Sequence, residues 1–222
     1  MTKIIGHRGA AGVAFENSLE AIGSMISQNI DVIEFDIRLT KDSKLVVLHD
    51  KTTNRVADIS VDVAKTTYQE LSSLKLRNGQ AVPILEEVLE VVGNQSIYID
   101  IKDKGCASEA IGVLKRYPKS VVSFVSFDVS ELEVIHSLNP NIPVYVLQHS
   151  RPLRIIKEAR RIDATGIGIN KWVINPVTYF LAQKYSLSIY VYVVNSRLLA
   201  WFLKKLYPKI DVCTDYPERF KP

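Results

Sequence analysis

Apolar positions along the chain fall into two alternating patterns. Short runs in which almost every residue is Val, Ile, Leu, Tyr or Phe recur as KIIGH, DVIEFDIRL, KLVVLHD, SIYIDIK, VVSFVSF, IPVYVLQH, TGIGIN, LSIYVYVV and IDVCTD. Such near-continuous runs read as strands buried on both faces, the signature of a parallel sheet. Between most of them lie longer stretches with apolar residues three and four apart: SLEAIGSMISQN, ILEEVLEVVG, SEAIGVLKRY, SELEVIHSLN, LRIIKEARRI, VTYFLAQKYS and RLLAWFLKKLY. The alternation predicts repeated βαβ units. With KLVVLHD taken as an extra strand after the second, eight strand–helix units fit, which predicts a compact (β/α)8 TIM barrel in the α/β class. An open doubly wound sheet is the alternative. It would carry a G-x-G-x-x-G turn after its first strand, and GHRGAAG lacks that spacing. A single domain over residues 1–222 is expected. The polar segment Lys51–Gln80 is an insertion between the second strand and its helix, without a core of its own.

Composition narrows the class. The 222 residues are 47% hydrophobic and 23% charged, which suits a globular chain rather than a disordered one. The formal charge of +4 is mild and spread out, so nucleic acid is not an expected partner. No apolar run approaches the roughly 20 residues that span a bilayer, and MTKIIGHRG lacks the long apolar stretch of a secretory leader. Cys106 and Cys213 follow no metal-ligand spacing and read as idle thiols of a reducing compartment. A cytoplasmic protein without stable membrane insertion is expected, and a homo-oligomer is compatible with the sequence.

Charged residues in strand patterns carry the chemistry. Glu34 and Asp36 are two apart in DVIEFDIRL, so both side chains leave the same face, and Asp100 and Lys102 repeat the spacing in SIYIDIK. In a parallel barrel that inward face ends at the C-terminal rim, where active sites of this architecture lie. An unpaired carboxylate on the other face would cost several kcal/mol. Three carboxylates from two strand ends suit a hard divalent cation, Mg²⁺ or Ca²⁺. An ion-pair network of Glu34 or Asp100 with Arg8 or Lys102 would account for the same residues. His7 and His49 each end an apolar run, so both reach that rim, where two imidazoles can act as general base and general acid. Arg8, Lys102 and a divalent ion would neutralise a phosphate. His149 ends the IPVYVLQH strand and is a weaker candidate, and His136 belongs to a helix face. Asn17 reads as the cap of the first helix, with Glu20 three residues on.

These residues together resemble the glycerophosphodiester phosphodiesterases, metal-dependent (β/α)8-barrel enzymes that cleave deacylated phospholipids. GHRG, FENS, VIEFDIRLTKDSKLVVLHD, VPILEEVL, YIDIK, YVVN and CTDYP match family segments in order over almost the whole chain. The resemblance implies that Glu34, Asp36 and Asp100 hold the cation, that Arg8 and Lys102 bind phosphate, and that His7 and His49 are the acid–base pair. It places Glu16 in the polar network near the metal or the glycerol, and Tyr192 where an aromatic, commonly tryptophan, faces the glycerol. His7 is taken as the base and His49 as the acid. The expected partner is a small phosphodiester. Asp100 stands where the family usually has glutamate, and Asp42-Ser43 where it has an Asp-Gly turn. An aspartate before x-Lys is also similar to the related sphingomyelinase D enzymes. A lysophospholipase D-like lipid phosphodiesterase, with an exposed apolar rim, is therefore one rival reading. A phosphate-binding barrel with weak catalysis is another.

Overall fold

The computed structural model describes residues 2–220. Eight parallel strands close into a barrel: β1 (Ile4–Gly6), β2 (Val32–Leu39), β4 (Ser96–Ile101), β5 (Val121–Ser126), β6 (Val144–Gln148), β7 (Gly166–Asn170), β8 (Ser188–Tyr192) and β9 (Ile210–Thr214). Closure comes from β1, which pairs with β2 on one side and β9 on the other. The helices α1 (Leu19–Ser27), α3 (Leu85–Val92), α4 (Cys106–Leu114), α5 (Val129–Leu138), α6 (Pro152–Arg161), α7 (Pro176–Lys184) and α8 (Arg197–Leu206) follow the strands in turn. A closed ring excludes the open doubly wound sheet.

Strand alternation sorts two cores. Ile33, Phe35 and Ile37 of β2 and Ile97, Ile99 and Ile101 of β4 face outward and join the apolar layer beneath the helices. The opposite face points into the barrel, where Tyr98, Tyr145 and Tyr190 pack with ring centroids 5.0–6.0 Å apart. Gly166 and Gly168 of β7 make room for them: a Cβ on Gly168 would lie 2.4 Å from the Tyr190 ring. Going up β2 and β4, the inward positions read Val32, Glu34, Asp36 and Tyr98, Asp100, Lys102, with Asp36 in register with Asp100. The interior is therefore apolar below and charged at the rim.

The extra strand β3 (Leu45–Val47) is antiparallel to β2, pairing Leu39 with Leu45 and Ile37 with Val47. Ser43, in the turn between them, has a left-handed backbone (φ 60°), which explains why glycine suits that position. The insertion that follows contains α2 (Tyr68–Ser73), started by a reciprocal Thr67–Glu70 capping box. Contrary to expectation, it buries a small core. Val56, Val63, Leu71, Leu76 and Val82 close over Val46 and Leu48 of the β3 run. Polar composition hid this cluster, because its apolar residues are too widely spaced to show a period.

Candidate active site

The chain leaves β1 through a sharp turn at the barrel rim. Arg8, Gly9 and Ala10 all have positive φ (52°, 68° and 66°), a conformation that stores strain in non-glycine residues. A Cβ on Gly9 would press to 3.2 Å against Ala21 and Ile22 of α1. The turn aims the Arg8 backbone N–H at Glu34 Oε2, 2.8 Å away, and leaves both the His7 and Arg8 side chains over the barrel mouth.

Each candidate histidine is oriented by a carboxylate. His7 Nδ1 donates to Asp215 Oδ1 at 2.6 Å. Asp215, just past β9, is held in turn by Asn195 Nδ2 at 2.7 Å. His49 Nδ1 donates to Asp50 Oδ1 at 2.7 Å. In both rings Nε2 is left for chemistry. His49 arrives by a route that the sequence does not show: β3 runs downward, so the chain returns to the level of Asp36, whose carbonyl accepts from Leu48 N at 3.1 Å. Arg38 Nε donates to the His49 carbonyl at 2.7 Å and locks that return.

Their surroundings push the two rings apart. Burial disfavours the charged form of His7, but the Asp215 hydrogen bond and the nearby Glu34 charge outweigh it and hold its pKa above 6.5. At His49 burial prevails over the attraction of Asp36, with Lys102 and Arg8 adding repulsion, and its pKa lies below 6.5.

Glu34, Asp36 and Asp100 are buried, and one oxygen from each lies within 4.8 Å of the others. The shorter Asp100 therefore still converges with its neighbours. Asp36 is surrounded by donors. Its oxygens accept from Lys102 Nζ at 2.9 Å and Asn17 Nδ2 at 2.8 Å, and Arg8 Nε lies 3.4 Å away. Burial would raise its pKa, but Lys102 and Arg8 hold it well below the usual carboxylate range. Asp100 differs. Oδ2 accepts from Lys102 at 2.5 Å, while buried Oδ1 has no hydrogen-bond partner. Burial and repulsion from Asp36 and Glu34 push its pKa up to about 7, and burial with the Asp36 charge also raises Glu34. Three buried acids with one orphaned oxygen fit a hard divalent cation.

A cavity of about 440 Å³ opens above this cluster, lined by His7, Arg8, Glu34, His49, Asp100 and Lys102. Asp36 lies beneath it. On its other wall Phe127 stacks on His149 (4.2 Å), with Tyr192 edge-on to both rings. Tyr192 donates to the Gln148 carbonyl at 3.0 Å. Trp172, 75% exposed, completes the mouth.

Glu16 lies outside this cavity, beside a second hollow, and joins the polar network around the acidic cluster by accepting from Arg8 Nη1 at 3.1 Å and from Arg55 at 2.6 Å. Arg55 also donates to Asp50 at 2.5 Å, so a chain of ion pairs links the His49 side of the site to Arg8. One expectation changes: Asn17 is not the helix cap. Its backbone is left-handed (φ 55°), whereas a cap needs an extended residue, and Ser18 caps α1 by accepting from Ala21 N at 3.1 Å. Asn17 instead brackets Asp36, donating to its carboxylate and accepting from its N–H at 3.3 Å. Asp215, Asp50, Arg55 and Trp172 are site residues that sequence reasoning passed over. The adjacent HD dipeptide and the acid closing CTD were the available signals for two of them.

Comparison with known proteins is consistent with this geometry. The model of the "Glycerophosphoryl diester phosphodiesterase family" matches residues 7–219. The Bacillus subtilis protein YhdW, provisionally named a glycerophosphodiester phosphodiesterase, is 30% identical over 97% of this chain and 95% of its own. A glycerophosphodiester phosphodiesterase from the same organism is 28% identical over 97% of this chain and 84% of its own. The fold is shared with an Oleispira antarctica phosphodiesterase solved with the product sn-glycerol-3-phosphate. That similarity has a TM-score of 0.90 and 24% identity, and covers 98% of this chain and 94% of that one.

Proposed function

The chain belongs to the glycerophosphoryl diester phosphodiesterase family and is a phosphodiester hydrolase; from that premise we propose that it cleaves glycerophosphodiesters to glycerol 3-phosphate and an alcohol such as choline or ethanolamine. The observation that carries the reading is one cavity in which two carboxylate-backed imidazoles meet two cations and an acidic cluster. Arg8 and Lys102 bind the non-bridging phosphate oxygens. Glu34, Asp36 and Asp100 would hold a divalent cation, Mg²⁺ or Ca²⁺, which supplies charge neutralisation at the phosphoryl group.

The electrostatics favour acid and base roles opposite to those taken from the sequence. His49, held neutral, accepts the proton of the attacking hydroxyl at Nε2, while Asp50 fixes its tautomer. His7, whose pKa the Asp215 hydrogen bond and the Glu34 charge raise, gives its Nε2 proton to the departing alcohol oxygen, while Asp215 stabilises the imidazolium. Purified protein with glycerophosphocholine should release glycerol 3-phosphate with Mg²⁺ or Ca²⁺, lose that activity in EDTA, and lose it in His7→Ala. Release that survives chelation would overturn the metal assignment.

A lipid-acting enzyme is the second reading, favoured by one feature: the cavity mouth carries exposed Trp172 and Phe127, an apolar rim of the kind an acyl chain requires. Turnover of lysophosphatidylcholine exceeding that of glycerophosphocholine would select it.

A further inference from the structure

Contrary to expectation, the basic excess is not spread evenly: between Asp163 and Asp211 the sequence contains no acidic residue, yet it carries six basic ones, Lys171, Lys184, Arg197, Lys204, Lys205 and Lys209. This stretch forms β7, α7, β8 and α8. Several basic side chains on or beside the other outer helices are neutralised, as in Arg116–Glu86, Arg154–Glu158 and Arg161–Glu133, although among the described residues Lys157 and Arg160 of α6 are not. None of these six forms an ion pair among the described residues.

The same stretch holds half of the large apolar side chains that are exposed among the described residues. On α8, Ala200 and Leu203 face the barrel, while Leu198, Trp201, Phe202 and Leu206 face solvent at 50–67% exposure. Lys205 lies among them, with Nζ 4.8 Å from the Trp201 ring. Helix α7, joined to the end of α8 through Tyr179 and Tyr207 rings 5.2 Å apart, adds outward Val177 and Phe180. The turn leading into α7 carries Trp172, at the cavity mouth. The outer sides of these two helices are thus apolar, aromatic and cationic, and the turn leading into α7 reaches the entrance to the site.

Burying such a surface calls for an occupant that takes up apolar side chains and supplies negative charge. A second copy of this chain fails the second condition, because a two-fold contact would set like charges against each other. We infer that the α7–α8 face docks on an anionic lipid bilayer surface. Aromatic and leucine side chains enter the headgroup boundary, and the lysines meet lipid phosphates. Docking is peripheral, since no helix among the described residues is long and apolar enough to cross a membrane. It holds the cavity mouth beside the lipid surface, and its relevance to turnover rests on the phosphodiesterase reading above.

Co-sedimentation of the full chain with vesicles of mixed phosphatidylglycerol and phosphatidylcholine, against phosphatidylcholine alone, tests this directly. Binding to anionic vesicles that weakens with salt is expected. Lys204→Glu/Lys205→Glu should reduce partitioning about tenfold or more, and Trp201→Ser/Phe202→Ser should abolish it. Circular dichroism reports that both variants are folded, and their turnover of soluble glycerophosphocholine should match the parent. Three results would overturn the proposal: no binding, equal binding to both vesicle types, or a dimer in ultracentrifugation that Trp201→Ser/Phe202→Ser dissociates. If no protein turns over glycerophosphocholine, the substrate reading fails while the vesicle result stands.

Discussion

His7 and His49 have the same kind of partner, a carboxylate on Nδ1, but opposite electrostatic surroundings. The sign of the pH dependence follows. A base must be unprotonated, so kcat/KM rises through the His49 pKa, below 6.5, and an acid must be protonated, so it falls through the His7 pKa, above 6.5. A bell-shaped profile is expected, with His49 setting its low-pH limb and His7 its high-pH limb. His49→Ala should remove the low-pH limb and His7→Ala the high-pH limb, each with roughly a 10²–10⁴-fold loss. Exchanged limbs would restore the roles read from the sequence. Asp215→Asn deletes the main interaction that raises His7, so the high-pH limb should shift to lower pH while the low-pH limb stays in place.

Two elements invite tests of their own. The insertion reaches the site through Arg55, which is 43% exposed yet bonds both Asp50 and Glu16. Solvent screening limits its contribution to stability to below about 1 kcal/mol. Its positioning of Asp50 and Arg8 predicts about a tenfold fall in kcat/KM for Arg55→Ala. Urea unfolding and steady-state kinetics on one preparation separate the two effects, and equal loss in both would make Arg55 merely structural. In β7 the case is reversed. Gly168→Ala places a methyl against the Tyr190 and Leu147 side chains, 2.4 and 2.5 Å away, so it should destabilise the barrel by about 1–3 kcal/mol in urea.

For the whole molecule, the acidic cluster should couple cation binding to stability. Three buried carboxylates with an orphaned Asp100 oxygen are relieved by a bound cation. A ligand about 100-fold above its Kd stabilises the native state by ~2.7 kcal/mol. For a chain of this size that corresponds to a rise in Tm of roughly 5–10 °C. Differential scanning calorimetry with Mg²⁺ or Ca²⁺ should show it, EDTA should reverse it, and Asp100→Asn should shrink it. An unchanged Tm would argue against a cation held by these three residues.

Alternating apolar runs determined the repeated βαβ units, because strands buried on both faces and helices buried on one leave different periods in any sequence. Two-residue spacing likewise determined that Glu34, Asp36, Asp100 and Lys102 point inward, since strand side chains alternate whatever surrounds them. Ring closure belongs to the tertiary structure, because β1 meets β9 across more than two hundred residues. So do the pairing of His7 with Asp215, the return of His49 beside Asp36, and the bridge from Arg55 to Glu16. The insertion core and the outward exposure of the α7–α8 apolar side chains were hidden for a related reason, although the run of unopposed basic residues there stands in the sequence. Local patterns report which side of an element is buried, whereas charge pairing and site geometry depend on which distant elements are packed together.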